Sequence, residues 1–275
     1  MKFGFIFPGG DARIAAELGR EAERAGWDGF FVPDAVWYHD PWVTLAAVAM
    51  VTQRLRLGTM LTPVSRRRPW KLAAETATLD RLSKGRVILS VGLGALDTGF
   101  AEFGEETERT ARAELLDEGL KIIAGLWRGQ PFRFKGKHYA IKPYTLLVPK
   151  TPLQKPRIPV WVVGALNRDK SMQRVAHWDG WLPNKLDAHG KHTRVTPDDV
   201  RAGKAWLEKH RRAKTKFDIV AEGRTPGHLA NRVQARAMVR EWADAGATWW
   251  LEAMWAKPVP TIAKIRERIR QGPPK

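Results

Sequence analysis

Between Leu55 and Gly94 the spacing of apolar residues changes from a period of two to a helical period and back again. Leu55, Leu57, Thr59 and Leu61 occupy alternate positions in a run that stops at Thr62-Pro63, which predicts a strand. Pro69 suits the first turn of a helix, where its missing N–H leaves no bond unmade. Leu72, Thr76, Leu79 and Leu82 follow at helical spacing, and Gly85 stands where a helix end favours a left-handed residue. Val87-Ile88-Leu89 with Val91 is then a continuous apolar run, as expected of a strand covered on both faces. Two such strands joined by one helix form a right-handed unit with parallel strands.

The rest of the chain repeats that change of rhythm. Lys2 to Phe7 and Gly29 to Val32 read as strands, separated by a helix that Asp11 caps and Gly26 closes. A helix from Pro41 through Met50 leads into Leu55 to Leu61. A long amphipathic helix spans about Arg109 to Trp127, with Leu116, Leu120, Ile123 and Trp127 on its stripe. Further strands are expected at Val160 to Val163, Gly180 to Leu182, Phe217 to Ala221 and Thr248 to Leu251. The helices between them are expected at Asp169 to Ala176, from the capped start Thr196-Pro197-Asp198-Asp199, from about His228 to Ala245, and from Pro260. The alternation breaks once, where Phe132-Arg133-Phe134 and His138 to Ile141 flank Lys135-Gly136-Lys137 as a hairpin. About eight strands alternating with helices predict an α/β protein, a closed (β/α)8 TIM barrel formed by residues 1–275 as a single domain. The hairpin is a small insertion after the fourth helix, outside the barrel.

Composition narrows the picture without changing it. No apolar run approaches the length of a membrane-spanning helix, and the N-terminal KFGFIFPGG reads as a strand. The chain has no cysteine, which excludes disulfides, thiolate nucleophiles and cysteine metal sites and fits a cytoplasmic enzyme. Charge is the unusual feature: 47 basic residues against 29 acidic ones give +18. The basic residues are scattered over nearly every expected helix, densest from Lys204 to Lys216, and no nucleic-acid-binding motif accompanies them. A solvated basic surface is the plain reading, and attraction of an anionic cofactor comes next.

In α/β barrels the chemistry sits just past the C-terminal ends of the strands. That rim holds Pro8, Asp34, Thr62, Gly92, Gly94, Gly164, Asn184, Glu222 and Glu252. Taken alone, each glycine reads equally well as a tight turn, and each carboxylate as a cap or an arginine partner. Gly92-Leu93-Gly94 is no dinucleotide fingerprint, because Asp97 stands at the third glycine position. His189 and His192 are close in sequence without a convincing ligand set around them, and no G-x-S-x-G elbow is present. Glu222 and Glu252 end the last two strands, so both are expected to point into the mouth, where burial among tryptophans would suit a carboxyl to proton transfer.

Several segments in order, LRLGTMLTPVSRRRPW, ETATLDRLSKGR, VGLGA, RAELLDEGLKIIAGLWRGQPF and PRIPVWVVG, closely resemble the luciferase-like family of flavin- or deazaflavin-dependent oxidoreductases. The resemblance covers most of the chain up to about Asn184 and implies FMN or coenzyme F420 as cofactor. It implies a tricyclic ring near Gly92 and Gly94 and against Thr59, Met60 and Leu61, where many members have a non-proline cis peptide. It places the cofactor phosphate at the loop Gly164, Ala165, Leu166, Asn167, Arg168, with a helix start as anion site. Two positions depart from the family pattern. Ala165 replaces a frequent second glycine, and Asp34 is followed by Ala35 where many deazaflavin users carry histidine. His39, four residues beyond Ala35, reads as an exposed loop histidine. The expected function is that of an oxidoreductase or monooxygenase acting on a small-molecule substrate, with Glu222 and Glu252 as catalytic residues; a non-catalytic flavin-binding barrel is the alternative. No membrane or metal is implied, nucleic acid is disfavoured, and a homodimer is a candidate assembly.

Overall fold

Eight parallel strands in chain order close on themselves, which meets the barrel expectation. The computed structural model describes residues 1–129, 131–144, 151–226, 231–256 and 258–275. The barrel strands are β1 (Lys2–Ile6), β2 (Gly29–Val32), β3 (Arg56–Thr59), β5 (Val87–Gly92), β8 (Val160–Ala165), β9 (Gly180–Asn184), β10 (Asp218–Gly223) and β11 (Trp249–Ala253). A short β4 (Thr62–Pro63) continues β3 beyond the Met60–Leu61 peptide, which is cis. Each strand pairs in parallel with the next, and β11 returns to β1 with Phe5 opposite Glu252. The outer helices are α1 (Ala12–Arg24), α2 (Pro41–Val51), α3 (Pro69–Leu82), α4 (Arg109–Leu126), α5 (Asp169–Ala176), α6 (Pro197–His210), α7 (Arg232–Asp244) and α8 (Ile262–Arg270). Among the described residues no helix is long and apolar enough to cross a membrane.

Local chemistry explains most of the helix boundaries. Asp11 accepts the Ile14 N–H, Asp40 those of Trp42 and Val43, and Thr196 with Asp199 forms a reciprocal capping box. The last helix starts two residues later than Pro260 implies, because the Thr261 side chain caps it. The expected start of α7 at His228 lies outside the described residues. Leu82, expected on the buried stripe of α3, is 43% exposed, whereas Leu72, Thr76 and Leu79 are buried.

The hairpin of β6 (Phe132–Lys135) and β7 (Ala140–Tyr144) forms a separate two-stranded sheet. Glu118 of α4 holds its turn by accepting the backbone N–H groups of Lys137, His138 and Tyr139.

The strands of such a barrel tilt, so one level runs a residue further along each successive strand than the hydrogen-bonded register does. The observed pairings then sort the inward side chains into levels of four from alternate strands. Gly29, Ile88, Gly180 and Trp249 form a low level, with Gly4, Gly58, Trp161 and Val220 above it. Phe31, Ser90, Leu182 and Leu251 come next, then Ile6, Met60, Val163 and Glu222. Large residues fill the space that glycines leave. A Cβ on Gly4 or Gly58 would lie 2.7 or 2.9 Å from the Phe31 ring, and one on Gly180 would strike Trp161. Phe31 stacks on Trp161 at 5.6 Å, and Trp161 meets Trp249 edge-on at 5.2 Å. The result is a packed plug that closes the barrel below the Glu222 level.

Candidate active site at the barrel mouth

Glu222 is the carboxylate that faces inward at the mouth. It lies two residues beyond Val220, itself part of the inner core, and shares its level with Ile6, Met60 and Val163. Met60 belongs to the strand across the barrel, so Glu222 faces the Met60–Leu61 peptide over an apolar floor. Water reaches the Glu222 side chain, yet the wall of the barrel surrounds it, as befits a residue at the bottom of a concave mouth. Desolvation by that wall pushes its carboxyl up to about 7. A carboxyl so placed holds or releases a proton near neutral pH, which is the property a general acid or base needs.

Glu252 does not join it. Glu222 pairs with Leu251 and Gly223 with Glu252, so the two carboxylates point to opposite faces of the sheet. Glu252 is fully buried between barrel and helices. It accepts from the Thr225 N–H and hydroxyl, from Trp250 Nε1, and from Arg268 Nε of α8 at 3.2 Å. The expectation that Glu252 enters the mouth is corrected by the pleat: its neighbours Trp249, Leu251 and Ala253 face inward and it does not.

Asp34 is occupied as well. Its carboxylate is 1% exposed and accepts from Arg66 Nη2 at 2.6 Å and from Arg67 through Nε and Nη2, both at 3.0 Å. It therefore ties the end of β2 to the loop after β4. Arg66 and Arg112 both stand over the Phe100 ring at 5.6 Å, and Arg112 donates to the carbonyls of Leu93 and Gly94. These arginines were not singled out by sequence reasoning; the one available signal was the run Arg66-Arg67-Arg68 directly after a strand end.

The glycines divide into two kinds. Gly94 has φ +81°, and a Cβ there would lie 2.7 Å from Phe100 and 2.8 Å from Pro63. Its missing side chain serves the turn and its packing. On Gly164 a Cβ would meet Val175 and Trp181, whose Nε1 donates to the Gly164 carbonyl at 2.9 Å. Gly92 alone lies on the inner wall, with Leu61 and Val163 each 3.1 Å from its missing Cβ. Thr59 is buried, donating to the Ser90 carbonyl and accepting from Thr62.

At the expected phosphate loop some donors are already engaged. The Ala165 N–H donates to Ser171 Oγ and Asn167 Nδ2 to the Leu186 carbonyl. Arg168 is exposed beside the start of α5, which no side chain caps. His39 is exposed and packs on Tyr38, whose hydroxyl donates to the Pro8 carbonyl. Around the rim, Trp37, Phe103, Trp255 and Val259 are large apolar side chains left exposed on the strand-to-helix loops.

The comparisons with known proteins agree with this architecture. A model described as luciferase-like monooxygenase matches residues 2–272. The monooxygenase RslO1 from Streptomyces bottropensis superposes with a TM-score of 0.79 at 18% identity, covering 98% of this chain and 97% of its own. The coenzyme F420-dependent tetrahydromethanopterin reductase from Methanopyrus kandleri gives 0.73 at 16% identity, covering 99% and 98%. The oxygenating constituent of 3,6-diketocamphane monooxygenase from Pseudomonas putida, solved with FMN, gives 0.73 at 15% identity, covering 100% and 98%. At such identities the likeness is one of fold.

Proposed function

The chain belongs to the luciferase-like monooxygenase family, and from that premise we propose that it is an oxidoreductase using reduced FMN or coenzyme F420. It oxidises or reduces a small organic substrate at the C-terminal mouth of its barrel. The observation that carries the reading is Glu222, the carboxyl on an otherwise apolar floor, pushed up to about 7 and facing the Met60–Leu61 peptide.

The mouth fits a flat cofactor in part. Met60 and Leu61 would back the ring, with Thr59 buried behind them and Gly92 beside Leu61. The uncapped start of α5 and the exposed Arg168 would receive a phosphate, next to the Gly164-Ala165 turn and Asn167. Gly94 and Asp34 support these loops. When bound, the cofactor supplies the reducing equivalents, by hydride or with oxygen. The apolar floor of Ile6, Met60 and Val163 would exclude water from the reacting atoms once cofactor and substrate fill the mouth. Glu222 gives a proton to the substrate or takes one from it, at a distance that the opposite wall defines. The +18 charge favours the more anionic deazaflavin tail, and Ala35 in place of a histidine favours flavin.

Titration with each reduced cofactor, followed by fluorescence, tests the reading, and binding of neither refutes it. With the bound cofactor and a turned-over substrate, Glu222→Gln should slow turnover at least about tenfold while cofactor affinity barely moves. Unchanged turnover would remove Glu222 from the chemistry.

A further inference from the structure

Scattered along the chain, many of the cations gather in the fold. The outer helices end, and the barrel strands begin, at the closed end of the barrel. Lys2 opens β1, Arg54 precedes β3, Lys84 precedes β5 and Lys155 precedes β8, each of them exposed. Arg212, Lys214 and Lys216 stand exposed before β10. Arg211 orders that last loop. Its guanidinium donates to the Ala213 carbonyl, to the Thr215 carbonyl at 3.0 Å and to the Thr215 hydroxyl at 2.8 Å. At the centre of this end the Lys2 ammonium stands 5.3 Å over the Trp249 ring, which belongs to the lowest level of the plug. Partial burial lowers the pKa of Lys2, and the positive charges of Lys216 and Arg56 nearby lower it further.

The acids of this end face the other way. The connections that lead from helices into strands there hold two acids among the described residues, Asp28 and Asp179. Asp28 accepts the Phe3 N–H at 2.9 Å, and Asp179 accepts the Val160 N–H at 3.0 Å and pairs with Arg157. Near the ends of α1 and α3, Glu23 accepts the N–H groups of Gln53, Arg54 and Leu55, and Asp80 those of Leu153 and Gln154. These carboxylates are thus engaged by the backbone while the lysines and arginines stay in water. Cations in a last helical turn, such as Arg24 and Arg81, complement the helix dipole. The exposed cations on the strand starts and connections lie beyond that turn. None of them forms an ion pair among the described residues. At the opposite end, the loop of residues 93–108 carries five acids and no lysine.

We propose that the closed end of the barrel docks on duplex nucleic acid, held through its phosphates without reading its sequence. The partner's chemistry follows from what the surface has and lacks. Unpaired lysines and arginines on several separate connections match the closely spaced charges of a phosphodiester backbone. A bilayer surface would ask for aromatic anchors beside the charge, and a single strand for aromatic platforms on which its bases stack. The large exposed aromatic side chains among the described residues, Trp37, Tyr38, Trp70, Phe103 and Trp255, all stand at the mouth end. No base-reading motif is present in the sequence, so contact is with phosphates and independent of sequence. The inference stands apart from the oxidoreductase reading, because the plug lies between this surface and the mouth.

A fluorescein-labelled DNA duplex of about 20 base pairs, followed by anisotropy with the whole protein, serves as the probe. Contact with about four phosphates predicts that affinity falls about a hundredfold between about 50 and about 200 mM NaCl. A second duplex of unrelated sequence should bind equally. Arg212→Gln with Lys214→Gln and Lys216→Gln should weaken binding at least about tenfold at the lower salt and flatten the salt dependence. Arg54→Gln with Lys84→Gln, on two other connections, should act in the same direction. Lys121→Gln with Arg236→Gln and Lys264→Gln removes as much charge from the outer helices and should leave binding within about twofold. Phosphatidylserine vesicles and polyglutamate, offered as competitors, should displace the duplex poorly. The proposal is overturned by no binding at the lower salt, by a strong preference between the duplexes, or by equal losses in the two triple variants. Tighter binding to the vesicles or to polyglutamate would overturn it as well.

Discussion

Replacing Glu222 by Gln removes a charge that the barrel wall disfavours, so the variant should gain stability wherever the wild type carries that charge. Desolvation by the surrounding wall raises the carboxyl from 4.5 to about 7. Between those values the folded protein keeps a proton that the unfolded chain has released. The stabilising contribution is therefore complete below pH 4.5 and is lost as pH rises through about 7. A shift of this size corresponds to roughly 3 kcal/mol. Water in the open mouth screens part of it, which brings the expected effect to about 1–2 kcal/mol. Urea denaturation of both proteins at about pH 4.5 and about pH 8 measures it, provided the m-value is unchanged. Comparing the two pH values cancels whatever the amide does independently of charge. The variant should gain about 1–2 kcal/mol relative to wild type between the acid and alkaline conditions. An equal difference at both would mean that the wall does not disfavour the charge, and would remove the basis for Glu222 as a proton carrier.

Glu252→Gln should destabilise the fold by about 3 kcal/mol, because Arg268 is left buried without its charged partner; thermal unfolding reads the loss, and turnover of the folded fraction should be unchanged. Asp34→Asn should destabilise by a similar amount, roughly 3 kcal/mol, since Arg66 and Arg67 share that one buried carboxylate, and urea midpoints check it. Gly180→Ala should lower stability by about 1–3 kcal/mol through overpacking against Trp161; an unchanged urea midpoint would mean that the inner plug has slack.

Much of the barrel was legible because its signals are local. A proline at a helix start, an aspartate or threonine cap and a glycine behind the last turn act within a few residues of where they stand. The cap at Thr261 shows the same rule working against a more conspicuous neighbour, Pro260. What could not be read was direction. All five residues of β11 are buried, so its pattern has no polar side from which to tell inward from outward. Glu222 and Glu252 look alike as strand ends, and the register between their strands separates them. The partners of Asp34 lie 32 and 33 residues further along the chain, and those of Glu252 on Thr225 and Arg268. Gly94 and Gly92 differ in what packs against them, which spacing does not record.

The plug beneath the floor also gives the protein a reporter of its own. Trp161 and Trp249 are all but excluded from water, in edge contact and close under the place where a conjugated ring would rest. Their ultraviolet emission overlaps the absorption of flavins and deazaflavins, so light absorbed by these indoles passes to an occupant of the mouth instead of being emitted. Occupancy can therefore be followed from the dimming of the protein's native luminescence, with no label attached and no substrate known.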